Sequence, residues 1–196
     1  MDNKPDFLER ELEIYAEKNR VPIIRGPERP FLLEVAAMEK PRRILEIGTA
    51  IGYSALLLAK HYPMAEIDTI ELDEARHHMA EETMKRAGLA ERVHCHLGDA
   101  GEVIQKLSGP YDFVYLDGPK GQYLRELLAI EPKLSKKAVV AADNVLFRGL
   151  VRGEETPPHR YRTLVMRLRE YIEYVESCYD TKIYEEGDGL AVSVKK

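Results

Sequence analysis

Two short segments carry side chains that could do chemistry together: Asp117-Gly118-Pro119-Lys120 and Asp143-Asn144. Two carboxylates and an amide supply oxygen ligands of the kind a hard cation such as Mg²⁺ prefers, with water or substrate completing six positions. Neither segment contains cysteine or histidine, which argues against zinc. Lys120, three residues beyond Asp117, can serve as a general base for a hydroxyl at such a site if burial and a neighbouring cation lower its pKa. Each feature also has a plainer reading. An aspartate at the end of a strand often caps a turn or helix, and a loop lysine is commonly solvated.

A third segment, Gly48-Thr49-Ala50-Ile51-Gly52-Tyr53-Ser54, leads into the apolar run ALLLAK. Gly48 permits a tight turn and close approach of a ligand. The helix that follows offers free N–H groups, with the Ser54 hydroxyl nearby. A glycine pair at this spacing is by itself only a strand–helix turn. Its neighbours add meaning. Glu46 lies just before the turn, where a carboxylate can meet an amine. Glu71 lies about 20 residues beyond the turn, a spacing at which an acid can bind ribose hydroxyls. Asp99 and Ala100, after Gly98, provide an acid and a small residue that could border an adenine. The turn is not the G-x-G-x-x-G of dinucleotide proteins, and Glu46 would repel a pyrophosphate. A ligand with a ribose and a positively charged amino-acid moiety fits better than NAD.

For these residues to meet, the chain must place them at the ends of neighbouring strands. Its patterning does so. Apolar, β-branched runs at 42–47, 65–72, 92–97, 111–117 and 137–143 alternate with helical patterns near 53–61, 73–88, 99–107, 121–131 and 158–172. Such alternation predicts a parallel sheet covered on both faces, with ligands beyond the carboxyl ends of its strands. The alternation stops near the end of the chain. There 174–186 reads as a long strand, Gly187-Asp188-Gly189 as a turn and 190–194 as the returning strand of a hairpin. Helices near 5–19 and 28–39 precede the first strand, so residues 1–40 form a helical segment on a single domain spanning 1–196.

The bulk properties agree. A chain of 196 residues, 44% hydrophobic and 32% charged, suits one globular domain rather than a disordered one. Two cysteines, Cys95 and Cys178, make neither a disulfide framework nor a CxxC motif, so a cytoplasmic location is expected. The charged N-terminus has no signal-peptide character, and no apolar run would span a membrane. The net charge of −5 disfavours non-specific nucleic-acid binding but allows a local basic patch.

EIGTAIGYS, TIELDE, GDA, FVYLDGPKGQY and ADNVLFRGLV together resemble the bacterial catechol O-methyltransferase-like family, over roughly residues 20–196. The resemblance implies a Rossmann-like class I methyltransferase fold: α/β, a seven-stranded, mostly parallel sheet with a C-terminal antiparallel hairpin and helices on both faces. It implies S-adenosylmethionine and Mg²⁺ as cofactors. Asp117, Asp143 and Asn144 would hold the metal and Lys120 would be the base. Glu71 would bind the ribose, with Glu46, Gly48, Ser54, Asp99, Ala100 and Asp117 around the rest of the cofactor.

Within the family, KGQY and DNVLFRGLV look most like the branch that methylates 5-hydroxyuridine in the tRNA anticodon. A catechol and 5-hydroxyuridine both present two vicinal oxygens, so one metal site suits either. Between Arg148 and Arg169 lie six arginines (148, 152, 160, 162, 167 and 169) and two acids, Glu154 and Glu155. Arginine suits phosphate contacts and base stacking. Arg148, Arg152, Arg160 and Arg162 are therefore candidates for contacting the anticodon arm, while Arg167 and Arg169 suit a solvated helix face equally well. A small catechol is the alternative substrate, and a non-catalytic cofactor-binding protein the alternative class.

Other residues attract less weight. His94-Cys95-His96 cannot converge on one ion from a strand, because successive side chains alternate faces. His77 and His78 are expected to be exposed on a helix, His159 to lie in a loop, and Cys178 to be a small buried residue in a late strand. Tyr161, Tyr171, Tyr174, Tyr179 and Tyr184 would cap the core or line a homodimer interface.

Overall fold

The computed structural model describes residues 5–24, 28–38, 40–153 and 156–196. Seven strands form one sheet in the order β3-β2-β1-β4-β5-β7-β6. They are β1 (Arg43–Ile47), β2 (Glu66–Glu71), β3 (Val93–Leu97), β4 (Tyr111–Leu116), β5 (Leu134–Ala142), β6 (Tyr179–Tyr184) and β7 (Leu190–Lys195). The first five are parallel, and β7 runs antiparallel to both of its neighbours. Strand order reverses between β1 and β4. Ligands in open α/β sheets bind at such a switch point, and Gly48 and Asp117 flank it.

Helices cover both faces: α1 (Phe7–Asn19), α2 (Glu28–Ala36), α3 (Tyr53–His61), α4 (Glu74–Arg86), α5 (Ala100–Lys106), α6 (Tyr123–Ile130) and α7 (Arg162–Cys178). The strands alternate as a doubly covered sheet requires. Leu45, Val114 and Val140 join the core beneath α5, α6 and α7. Ile44, Phe113 and Val139 join the core beneath α1, α2 and α3. Local signals set the helix starts. Asp6, Asp73 and Asp99 cap α1, α4 and α5 by accepting from the N–H groups of Glu9, Arg76 and Gly101.

The N-terminal segment is fastened by charge as well as apolar packing. Leu12 and Ala16 are buried. Arg29 on α2 holds Glu9 at 2.6 Å and Glu13 at 3.0 Å, and Arg86 on α4 makes two 2.7 Å bonds to Glu11. This arrangement carries Pro22, Ile23 and Ile24 to the mouth of the sheet.

Three sequence expectations need correction. The strand expected over 174–186 is only Tyr179–Tyr184, because α7 runs on to Cys178. Val165, Leu168, Ile172 and Val175 are buried at helical spacing, and that stripe outweighs the β-propensity of the tyrosines and valine near its end. Cys178 therefore ends a helix and is exposed. His77 is buried, its Nε2 3.2 Å from the Cys95 carbonyl oxygen, whereas His78 is exposed. Smaller shifts occur at β5, which starts at Leu134 rather than 137, and at α2, which ends at Ala36. Residue 39, like 154 and 155, lies outside the described residues.

Candidate active site

A cavity of about 670 Å³ opens over the carboxyl ends of β1 to β5. Its wall contains Gly48 after β1, Glu71 at the end of β2, Asp99 and Ala100 after β3, Asp117 and Lys120 after β4, and Asp143 and Asn144 after β5. Eight of the residues singled out by sequence thus share one space. A second recess of about 470 Å³ lies alongside, lined by Phe31, Leu32, Tyr115, Tyr184 and the turn between β6 and β7. Ile24, Glu28, Asp143 and Asn144 belong to both walls.

Gly48 is required by the closeness of β1 to β4. It sits at φ +99°, and a Cβ there would lie 2.5 Å from the Asp117 carbonyl oxygen. Any side chain would push Asp117 away from the switch point. Glu71 is 8% exposed. Its Oε2 accepts from Ala50 N–H at 2.8 Å, and Oε1 accepts from Leu72 and Asp73 N–H, each at 2.9 Å. These bonds aim the carboxylate and leave it lone-pair capacity for ligand hydroxyls. Asp99 accepts from Arg125 at 2.7 Å in addition to capping α5.

Asp117 and Asp143 follow paired residues of β4 and β5, and the Asp143 N–H donates to Leu116 O at 3.0 Å. Burial, then repulsion from Asp143, pushes the Asp117 carboxyl up to about 7. Burial likewise raises Asp143. Lys120 Nζ stands 3.6 Å from Asp117 Oδ1. The Asn144 N–H donates to Asp143 Oδ1 at 2.7 Å, and its side-chain nitrogen lies 3.3 Å from the same oxygen, leaving the amide oxygen for a ligand. Two crowded carboxylates, an amide oxygen and a nearby ammonium fit a hard divalent cation, which would offset the burial of both acids and the repulsion that further raises Asp117.

The loop after β5 is strained and firmly held. Asn144, Phe147 and Arg148 have φ of +55°, +39° and +57°, conformations disfavoured for non-glycine residues. Tyr123 OH donates to Asp143 O at 3.0 Å and Tyr115 OH to Asp143 Oδ2 at 3.3 Å. The β6–β7 turn accepts from Val145, Leu146 and Arg148 N–H through Gly189 O, Asp188 O and Asp188 Oδ1.

Glu46 and Ser54 fall outside the lining. Glu46 is fully buried and pairs in register with Thr69 and Tyr115 on the α3 side of the sheet. Thr69 Oγ1 donates to its Oε2 at 2.5 Å, and burial pushes the carboxyl up to about 7. Arg148, Arg152, Arg160 and Arg162 line neither cavity. Arg148 and Arg160 flank the Tyr161 ring, 5.8 and 4.5 Å from its centroid, and Arg148 also lies 5.7 Å from that of Phe147. Arg152 is paired with Glu185, and Arg162 Nε donates to Pro157 O at 3.3 Å. Arg167 and Arg169 reach back to the carbonyls of Gly121 and Val151, so they brace loops rather than a merely solvated face. Tyr171 and Tyr179 are buried within the chain.

Sequence reasoning missed Arg76, Gln122 and Glu126 in the cavity wall. Gln122 and Glu126 lie one helical turn apart, two and six residues beyond Lys120. A histidine–glutamate group, His77, His78 and Glu81, also has ligand atoms within 4.8 Å of one another. It lies on α4 outside the cavity. Among the described residues no helix is long and apolar enough to cross a membrane.

The family model described as O-methyltransferase matches residues 5–196. A protein of Mycobacterium tuberculosis named as a probable O-methyltransferase is 34% identical over 150 residues, covering 70% of this chain and 64% of its own length. A catechol O-methyltransferase of the same organism is 32% identical over 126 residues, covering 63% and 57%. This chain thus spans about three-fifths of these curated relatives. The solved structure of TomG from Streptomyces achromogenes, an O-methyltransferase of tomaymycin synthesis in complex with S-adenosylmethionine, has a TM-score of 0.84 at 26% identity, covering 98% of this chain and 91% of that one. The chain belongs to the O-methyltransferase family.

Proposed function

We propose that this member of the O-methyltransferase family transfers a methyl group from S-adenosylmethionine to one of two vicinal oxygens on its substrate, with a divalent cation held by Asp117, Asp143 and Asn144. One observation carries the reading: two cavities meet at Asp143 and Asn144. One presents Glu71 to a ribose, and the other presents aromatic rings to an acceptor. A donor in the first and an acceptor in the second would face each other across the ligand set.

Each residue then has a task. Glu71 accepts the ribose hydroxyls, and Gly48 keeps Asp117 at the switch point. Asp117, Asp143 and Asn144 would hold the cation, which when bound would stabilise a developing oxyanion. Lys120 Nζ takes the hydroxyl proton. The oxygen lone pair forms the new O–C bond while the C–S bond breaks, its electrons passing to sulfur and leaving a neutral thioether. The protein's main contribution is to hold oxygen, methyl carbon and sulfur in line.

For the acceptor we favour 5-hydroxyuridine in a tRNA anticodon arm. Arg148 and Arg160 lie against the Tyr161 ring, with Phe147 edge-on to it, and this supports the reading, since guanidinium groups beside aromatic rings suit splayed bases and phosphates. A small catechol is the second reading. It is favoured by the compact recess of Phe31, Leu32, Tyr115 and Tyr184 with the acids Glu186 and Asp188, and by the similarity to a catechol O-methyltransferase. The test measures methyl transfer to tRNA carrying 5-hydroxyuridine and to simple catechols across a salt series. Wild type is compared with an Arg148→Ala/Arg160→Ala double variant. The RNA reading expects turnover that falls steeply with salt and a further loss in the double variant. Efficient catechol turnover with no methylation of tRNA would overturn it. No transfer to either, with S-adenosylmethionine unbound, would overturn the broader assignment.

A further inference from the structure

Glu126 is an acid with no evident reason to be where it is. It projects from the buried face of α6, is 1% exposed, and contributes to the cavity wall. Its Oε2 is sealed from solvent and has no hydrogen-bond partner. Gln122, one turn earlier in the same wall, likewise has a buried Oε1 without a partner. Burial pushes the Glu126 carboxyl up to about 7. A buried polar group left unpaired costs free energy comparable to a lost hydrogen bond or more. Both residues line one cavity, so a small turn of either side chain would bring its unpaired oxygen to a ligand that supplies the missing donor.

The position along the cavity indicates which part of a ligand arrives there. Helix α6 packs against α5, which follows β3. Arg125 and Asp99 are the charged groups that act on Glu126. Asp99 and Ala100 border the β3 end, beyond Glu71 when moving away from Asp117 and Asp143. A ligand whose reacting methyl lies by the cation site and whose ribose lies on Glu71 must extend its base toward this end. Gly101 supports the same layout. A Cβ there would meet Arg125 Nη2 at 2.6 Å, so a side chain from α6, not one from α5, fills this corner.

We propose that Glu126, with Gln122 beside it, reads the 6-amino edge of the cofactor's purine and selects adenine over a 6-oxopurine. The proposal rests on the S-adenosylmethionine reading given above. Adenine presents an N6–H donor beside the N1 acceptor. Once ionised, the carboxylate is acceptor-only: it takes the N6–H of adenine and has no proton to offer an O6, whereas a protonated carboxyl could turn to satisfy either edge. Hypoxanthine reverses the edge: O6 is an acceptor and N1–H a donor. Its O6 would face the carboxyl and amide oxygens that already lack donors. Sites built to hydrogen-bond a ligand group discriminate strongly because a mismatch leaves buried groups unpaired.

The experiment is calorimetric binding of S-adenosylhomocysteine and S-inosylhomocysteine to the purified chain at about pH 8, where the carboxyl is ionised, with no turnover involved. Wild type should prefer the adenosyl ligand by at least about tenfold. Glu126→Ala should bring the two affinities within about threefold of each other, mainly by weakening the adenosyl ligand. Glu126→Gln keeps one donor and one acceptor, so it should bind the adenosyl ligand within about threefold of wild type. Thermal melts of both variants check folding, and removing an unpaired buried acid should not lower the melting temperature. A wild-type preference that survives unchanged in a folded Glu126→Ala overturns the proposal and leaves the cofactor reading standing. Failure of wild type to bind S-adenosylhomocysteine at all overturns both.

Discussion

Replacing Glu46 by Gln tests whether a fully buried carboxyl behind the glycine turn sets the pH dependence of stability. Glu46 is 0% exposed, and burial, the largest cause, moves its carboxyl from 4.5 to about 7. A folded-state pKa above the unfolded one means stability that is fully present below the unfolded value and is lost as pH rises through the folded value. Between those values the unfolded chain has released the proton and the folded chain has kept it. Stability therefore falls by about 1.4 kcal/mol per pH unit from this group. From pH 5 to pH 8 the loss is about 2–3 kcal/mol, a large part of a typical folding free energy. Glu46→Gln keeps the shape and removes the titration. Urea denaturation in chelator at pH 5, 6, 7 and 8 gives the two stability curves. Glu126, also pushed up to about 7, steepens both curves alike, and Asp117 does so nearly alike, since Glu46 ranks behind burial, Asp143 and Lys120 among the causes of its shift; the difference between the proteins is therefore mainly that of Glu46. The variant should gain on wild type by about 2–3 kcal/mol across that range. Parallel curves would refute the reasoning and mean that Glu46 is ionised in the folded protein throughout.

Three further outcomes are expected. Gly48→Ala forces a Cβ to within 2.5 Å of the Asp117 carbonyl oxygen at φ +99°. It should cost about 2–4 kcal/mol of stability, read by denaturant melts, and an unchanged midpoint would count against the crowding argument. Glu71→Ala should weaken S-adenosylmethionine by about 1.5–3 kcal/mol per lost ribose bond, measured by calorimetry. It should also lower the melting temperature, because the N–H groups of Ala50, Leu72 and Asp73 lose their acceptor. Asp143→Ala should lower methyl transfer by on the order of 100-fold or more while S-adenosylmethionine affinity stays within about threefold of wild type. Full activity of wild type in excess chelator would contradict the metal assignment.

How far the sequence foretold this arrangement depended on which physical signal each residue carried. Asp117, Asp143, Glu71 and Asp99 were legible because they end apolar runs, and a parallel sheet places all such ends along one edge whatever the details of packing. The β-propensity of Tyr174 and Val175 and the helical stripe from Val165 to Val175 competed for the same residues. Burial against α6 and β6 decided in favour of the helix, a tertiary effect with no local trace. The arginines were legible as a cluster but not as partners. Pairing of Arg152 with Glu185 joins residues 33 apart in sequence.

Glu46 and Glu126 show the limit most sharply, and they fail in opposite directions. Glu46 precedes a glycine turn at the mouth of the fold, so spacing assigned it to the ligand. In a strand, however, the side chain next to Ile47, which joins the core beneath α5 to α7, must point to the other face, and the register with Thr69 and Tyr115 places it on the α3 side. Glu126 sits in YLRELLAI, where a charged residue between leucines reads as the solvent side of an amphipathic helix. Yet Tyr123, Glu126, Leu127 and Ile130 form the buried face, so the acid occupies a position that helical periodicity reserves for an apolar side chain. A sequence violates its own pattern at a cost of stability, and violations of that kind concentrate where a ligand repays them. That is why the unpaired oxygen of Glu126, at a position the helix reserves for an apolar side chain, points to a ligand that completes it.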